Sequence, residues 1–153
     1  MRTIVYLDSL LIENNLNLLI STYDIIPLHH DYGFIEMIPD SVTLFYIKNI
    51  KKMTIQNYIL EQNRVDYNEF KNNITSSLAG YCILQYFLGI GDRHNENILI
   101  TNKAIIFHVD FKYILGKEPS HILTNNPIKL TDDMVDCLGG INSNHFRLFL
   151  TYC

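Results

Sequence analysis

The residues with the densest chemistry lie in 91–111, GDRHNENILITNKAIIFHVDF. A turn carries Asp92, Arg93, His94 and Asn97. A short apolar strand (98–100), a polar turn (101–103) and a second apolar strand (105–109) follow, and the run closes on Asp110 and Phe111. A hairpin of that length folds back on itself, so Asn97 and Asp110 are expected to face one another at one end of it, with Asp92 and His94 nearby. A carboxylate and an amide oxygen at one point suit Mg²⁺, a hard cation that takes oxygen ligands and shares them with phosphates. A histidine beside that point can take a proton from an attacking hydroxyl. A metal held between such groups, with a base alongside, is what phosphoryl transfer requires.

The elements that must position this turn can be read on either side of it. Before it, residues 66–88 form the strongest helical pattern, with Phe70, Ile74, Leu78, Tyr81, Cys82, Gln85 and Leu88 on one broad stripe. Asp66 or Asn68 is the candidate N-cap, and Gly89 and Gly91 end the helix and deliver the chain into the turn. Residues 54–61 read as a short helix capped by Thr54, and 43–47 are ambiguous between strand and helix. Upstream, residues 3–16 carry apolar groups at helical spacing, and 23–38 read as a hairpin with its turn at 28–33, in which His29 and His30 are solvated. After Asp110, residues 112–130 form a loop with Gly116, Pro119 and Pro127, of a length usually functional or mobile. Thr131 then caps a helix whose first turn holds Asp132 and Asp133, stopped by Gly139–Gly140, and Ser143 caps a last helix, 144–153.

Composition narrows the function class. The 153 residues make one domain or part of one, and 48% hydrophobic content with 10 Tyr and 8 Phe is sufficient for a core. A net charge of −4 argues against a nucleic-acid binder, whose footprint is basic. Cys82, Cys137 and Cys153 show neither metal spacing nor a disulfide framework, which fits a reducing compartment. No secretory signal and no apolar run near the ~20 residues of a membrane span is visible. His94-x-Glu96 matches the first half of a zinc deaminase signature, but the P-C-x-x-C that must accompany it is missing. His108 alternates on its strand and is expected in the core or behind the site.

Residues 79–100, AGYCILQYFLGIGDRHNENILI, followed by FHVDFKYILGKEP at 107–119, resemble the catalytic core of the phosphatidylinositol 3-/4-kinases. PIKLTDDMVDCLGG, 127–140, is most similar to the class III, vacuolar-sorting type of phosphatidylinositol 3-kinase. The resemblance extends loosely back to about residue 6. It implies an α+β, partial protein-kinase-like fold: a small-lobe remnant (1–35), a hinge (36–40) and a mostly helical large lobe (41–153), incomplete at its C-terminus, with a catalytic β-hairpin. It implies transfer of the ATP γ-phosphoryl group to the inositol 3-hydroxyl of phosphatidylinositol, with Mg²⁺ or Mn²⁺.

Carried onto this chain, the resemblance makes Asp92-Arg93-His94 the catalytic loop, with His94 the base or a stabiliser of the migrating phosphoryl group and Asp92 orienting it. Arg93 is expected to be structural, pairing with a nearby carboxylate. Asn97 and Asp110 become metal ligands. Glu36-Met37-Ile38 becomes the hinge, with Ile38 backbone groups pairing with adenine and with Tyr23 and Phe111 lining the nucleotide pocket. Residues 112–130 become the activation loop, in which Lys117, His121 and Lys129 are candidate headgroup contacts. The implied partners are phosphatidylinositol in membranes and a regulatory protein-kinase-like subunit, and the implied place is cytoplasmic, peripheral to endosomal or other intracellular membranes.

Three departures from the family accompany it. The strands bearing its phosphate loop and phosphate-binding lysine are expected ahead of residue 1, since Lys48, Lys51 and Lys52 fall after the hinge. Its glycine after Asp-Phe is Lys112, a residue that resists the backbone angles glycine allows. Its closing helices are expected after the position of Cys153. Groups aimed at developing charge are each worth ~3–4 kcal/mol, so losing lysine and loop together removes ~10⁴ in rate if the losses add. Lys112 either points with Asp110 and partly replaces that lysine, or repels the metal. The alternative to a kinase is a catalytically dead fragment or a non-catalytic binding module.

Overall fold

The computed structural model describes residues 1–117, 119 and 127–153. In chain order the elements are α1 (Arg2–Glu13), β1 (Ile25–Pro27), β2 (Gly33–Ile35), β3 (Ser41–Thr43), a π-helical turn (Tyr46–Ile50), α2 (Ile55–Glu61), α3 (Tyr67–Leu88), β4 (Ile98–Thr101), β5 (Ile106–His108), α4 (Asp132–Cys137) and α5 (Asn144–Tyr152). The fold is α+β, in keeping with a partial protein-kinase-like architecture.

The helix starts follow local chemistry. The side chains of Thr54, Asp66, Thr131 and Ser143 each accept a hydrogen bond from the backbone amide three residues on, satisfying a donor that has no partner inside the helix. Of the two candidate caps for α3, Asp66 is the one used. Gly89 ends α3 in the left-handed region at φ 53°. A Cβ there would stand 2.5 Å from the amide nitrogen of Gly116, so this position needs both the angle and the missing side chain.

Helix α3 is the axis of the molecule because it is buried on several sides. Phe70, Ile74, Leu78, Ala79 and Cys82 join residues of α2, β4, β5, α4 and α5 in one core. Tyr81 and Leu84 turn the other way, onto Ile4 of α1, Leu18, Ile20 and Phe107. Gly80 permits the second contact: a Cβ would lie 2.9 Å from the Ile20 side chain and 3.1 Å from that of Leu18.

The described residues form two sheets. β1 and β2 form the expected hairpin, shorter than the span 23–38, with Ile25 opposite Ile35. β4 and β5 also pair antiparallel, with Ile98 opposite His108. The ambiguous stretch 43–47 divides: Ser41–Thr43 adds a third strand beside β4, and the chain then winds into the π-helical turn. The free edge of β5 is met by α3, where the Ser77 hydroxyl accepts the Ile106 amide at 3.0 Å. Lys48 of the π-helical turn pairs with Asp133, the second residue of α4.

Candidate active site

The turn from Gly91 to Asn97 connects α3 to β4, and Asp110 follows β5 closely, so both ends of the hairpin reach the same edge of the sheet. The register puts Val109 rather than Asp110 across from Asn97, and the Val109 amide donates to the Asn97 carbonyl at 3.0 Å. Asp110 therefore lies one residue past the directly facing position. It turns back in the left-handed region at φ 55°, and Asp92 adopts the same unusual conformation at φ 59°. Two aspartates in this region at one end of a hairpin mark a local conformation held in place by its surroundings.

Arg93 supplies much of that hold. It is buried, and its guanidinium donates to the carbonyl of Gly91 at 2.8 Å, of Val109 at 2.6 Å, and to those of Asn97 and Asp110. It thus ties the turn before β4 to the exit of β5, using the planar fork that distinguishes arginine from lysine. These four partners are main-chain carbonyls. Phe111 packs beside it, with its ring 5.7 Å from the guanidinium carbon.

Asn97 is buried and its amide nitrogen donates to the Asp92 carbonyl at 2.9 Å. That bond leaves the amide oxygen as the group available to a cation. The carboxylate of Asp110 is exposed. An amide oxygen and a free carboxylate match the donor preference of Mg²⁺, so the residues present fit the ion the family implies. His94 stands next to Asn97, with Nε2 3.1 Å from the Asn97 amide nitrogen and Nδ1 accepting the Glu96 amide at 3.2 Å. Its Nε2 is 4.0 Å from Asp92 Oδ1, beyond hydrogen-bond reach.

The residues expected around the nucleotide divide into two groups. Tyr23 is buried close to the site: burial pushes its phenol up to about 12, with Arg93 pulling it down and Asp110 pushing it up. It lines a cleft of about 380 Å³ with Met1, Arg2, Val5, Asp24, Ile25 and Ile26. Met37 and Ile38 line a second cleft of about 360 Å³, closed by Tyr58, Ile59 and Leu99. Glu36 links the groups, because its carboxylate accepts the Asp24 amide at 2.8 Å and its own amide donates to the Asp24 carbonyl. The Ile38 carbonyl accepts the Ser41 hydroxyl at 2.7 Å, and Ile38 and Phe111 both pack on the core around Tyr81.

Beyond Asp110 the chain runs back along the end of α3. Gly91, Leu115 and Gly116 donate to the carbonyls of Tyr113, Leu88 and Gly89 respectively. Lys112 does not take the left-handed conformation that its replacement of glycine raised; that angle falls on Asp110. Its ammonium lies over the Tyr113 ring at 5.5 Å. Lys117 is exposed and Lys129 half-buried, whereas His121 lies outside the described residues.

Two contacts were not anticipated from the sequence, while His108 lies in the core as expected. Buried Gln85 accepts the Lys129 amide at 2.9 Å and so fixes the return of the 112–130 segment. Lys71, buried on α3, donates to the Cys137 carbonyl at the end of α4 and to Gln56. His108 packs against Tyr81 with ring centroids 4.7 Å apart, and burial, aided by Arg93, lowers its imidazole to about 3. Gln85 was visible as a polar residue on the apolar stripe of α3, the one available signal, whereas Lys71 stands among other polar residues of that helix.

Residues 1–153 match the family described as phosphatidylinositol 3- and 4-kinase. The chain belongs to the phosphatidylinositol 3- and 4-kinase family. It is 34% identical over 153 residues to phosphatidylinositol 3-kinase VPS34 of Arabidopsis thaliana, covering 96% of this chain and 18% of that protein. It is 36% identical to phosphatidylinositol 3-kinase pik3 of Schizosaccharomyces pombe (96% and 19%) and 31% identical to phosphatidylinositol 4-kinase beta of Rattus norvegicus (94% and 18%). The chain thus spans about a fifth of the length of these kinases. No helix among the described residues is long and apolar enough to cross a membrane.

Proposed function

We propose that this chain forms the metal- and hinge-bearing part of a lipid kinase domain that transfers the ATP γ-phosphoryl group to the inositol 3-hydroxyl of phosphatidylinositol. The observation that carries the reading is the Arg93 clamp, which joins the turn bearing Asp92, His94 and Asn97 to the exit of the hairpin at Asp110. In this reading Asn97 and Asp110 hold Mg²⁺ or Mn²⁺, which neutralises phosphate charge when bound. His94 takes the proton from the attacking hydroxyl or steadies the moving phosphoryl group, and Asp92 keeps it oriented. Residues 36–40 act as the hinge between a small portion, 1–35, and the large lobe, 41–153. Tyr23, Glu36, Met37, Ile38 and Phe111 receive the nucleotide, while Lys117 and Lys129 meet the headgroup. Lys112, with its ammonium over Tyr113, contributes little to the phosphates.

The 3-hydroxyl is favoured by the run 127–140 and by the plant and yeast 3-kinases among the relatives; a 4-kinase at 31% identity makes the 4-hydroxyl the nearest competitor. In this reading the chain works at an intracellular membrane, such as the endosomal surface, beside a regulatory subunit. A non-catalytic binding module is the second reading. It is favoured by the apolar surface next to the hinge, where Phe34, Ile35 and Met37 are 66%, 68% and 85% exposed.

The experiment is a lipid kinase assay on phosphatidylinositol vesicles with labelled ATP, comparing the chain with Asp110→Ala. The kinase reading predicts phosphatidylinositol 3-phosphate above the level of the variant. Equal, background-level signals sink catalysis by this chain and leave the binding module.

A further inference from the structure

The turn between β1 and β2 holds a second cluster of metal-ligating side chains, independent of the site at Asp110. His29, His30 and Asp31 are consecutive and exposed, and one ligand atom from each lies within 4.8 Å of the others. His30 Nε2 is 2.8 Å from Asp31 Oδ2, and His29 Nδ1 is 3.6 Å from the same oxygen. The rings of His29 and His30 lie 3.9 Å apart, and Tyr32 stacks on His29 at 5.0 Å. The backbone beneath is closed, with the amides of Leu28 and His29 both donating to the Tyr32 carbonyl. Three ligand atoms are therefore gathered on a turn that is itself held.

We infer that this turn binds one borderline divalent transition metal, of the Zn²⁺, Ni²⁺ or Cu²⁺ class, through His29, His30 and Asp31. Two imidazoles and one carboxylate suit those ions and not Mg²⁺, which prefers oxygen alone. Ligand bonds of about 2.0–2.2 Å require donor atoms some 3–4 Å apart, a spacing that small side-chain rotations reach from the present one. The metal replaces the His30–Asp31 contact, and water completes its coordination. Because β1 and β2 run from this turn to Tyr23 and Glu36, the bound ion also ties the far end of the hairpin that reaches the hinge.

The test is calorimetric titration of the untagged chain with ZnCl₂ and NiCl₂ in excess Mg²⁺, with amide exchange across residues 25–35. The site predicts one saturable equivalent and slower exchange on binding. His29→Ala and His30→Ala should each weaken binding by about tenfold or more, since removing a direct ligand costs no less than removing a partner behind one. Asp110→Ala should leave it unchanged. No saturable binding, binding that survives the double histidine variant, or binding without slower exchange at 25–35 would overturn the inference.

Discussion

Arg93 shows how one side chain can join a turn to the exit of a hairpin. It satisfies carbonyls that would otherwise be stranded where the catalytic turn and the hairpin exit converge. A lysine there keeps the charge and loses the fork, so Arg93→Lys should destabilise the fold by about 1.5–3 kcal/mol, the range for hydrogen bonds to charged groups. It should also weaken Mg²⁺-nucleotide binding; denaturant melts and titration read the two effects. Its importance was hidden in the sequence, which names a residue but not the four carbonyls brought to it. His108 gives a second prediction. Its folded value near 3 lies below the ordinary histidine value, so the unfolded chain binds the proton more tightly. Its contribution is complete above about pH 6.5 and is lost as pH falls towards 3. At pH 5 the loss is about 2 kcal/mol, from 1.36 kcal/mol per pH unit. Melting curves at pH 7.5 and 5 should show it, and His108→Leu should flatten the difference.

Between elements, α3 organises the site from both directions. Its end receives Leu115 and Gly116 after Asp110, and its Gln85 receives Lys129 where the chain returns. Gly89→Ala sets a Cβ against Gly116 in a left-handed backbone, which should cost more than about 1 kcal/mol. Hydrogen exchange of the Leu115 and Gly116 amides should rise with it; unchanged protection would show that this pairing does not depend on Gly89. Much at this scale was readable locally. The four side-chain caps and the two hairpins come from signals within a few residues of each other. The strand Ser41–Thr43 was not readable, because three residues show no alternation and its partner β4 is more than fifty positions away. The one-residue offset of Asp110 was likewise beyond reach, since register depends on the whole β4–β5 pairing.

Across the whole molecule, two apolar clusters meet along α3, and one includes Ile4 of α1. The faces of α1 and the first hairpin remain largely open, with Tyr6, Ile12, Ile26, Phe34 and Ile35 exposed. Such a surface favours association. The isolated chain should therefore self-associate as its concentration rises, detectable by sedimentation; a monomer throughout would show that the face is tolerated in water. The family was legible because the residues that carry the resemblance are concentrated in local runs.

The central claim is that Asn97 and Asp110 jointly hold one divalent ion. Electron paramagnetic resonance of Mn²⁺ titrated with ATP into the chain tests it most directly, using Mn²⁺ in place of the silent Mg²⁺. The account predicts a nucleotide-dependent bound signal that Asn97→Ala and Asp110→Ala each reduce by about tenfold or more, while His94→Ala leaves it intact. A bound signal unchanged in the Asp110 variant, or none in the unmodified chain, would contradict it.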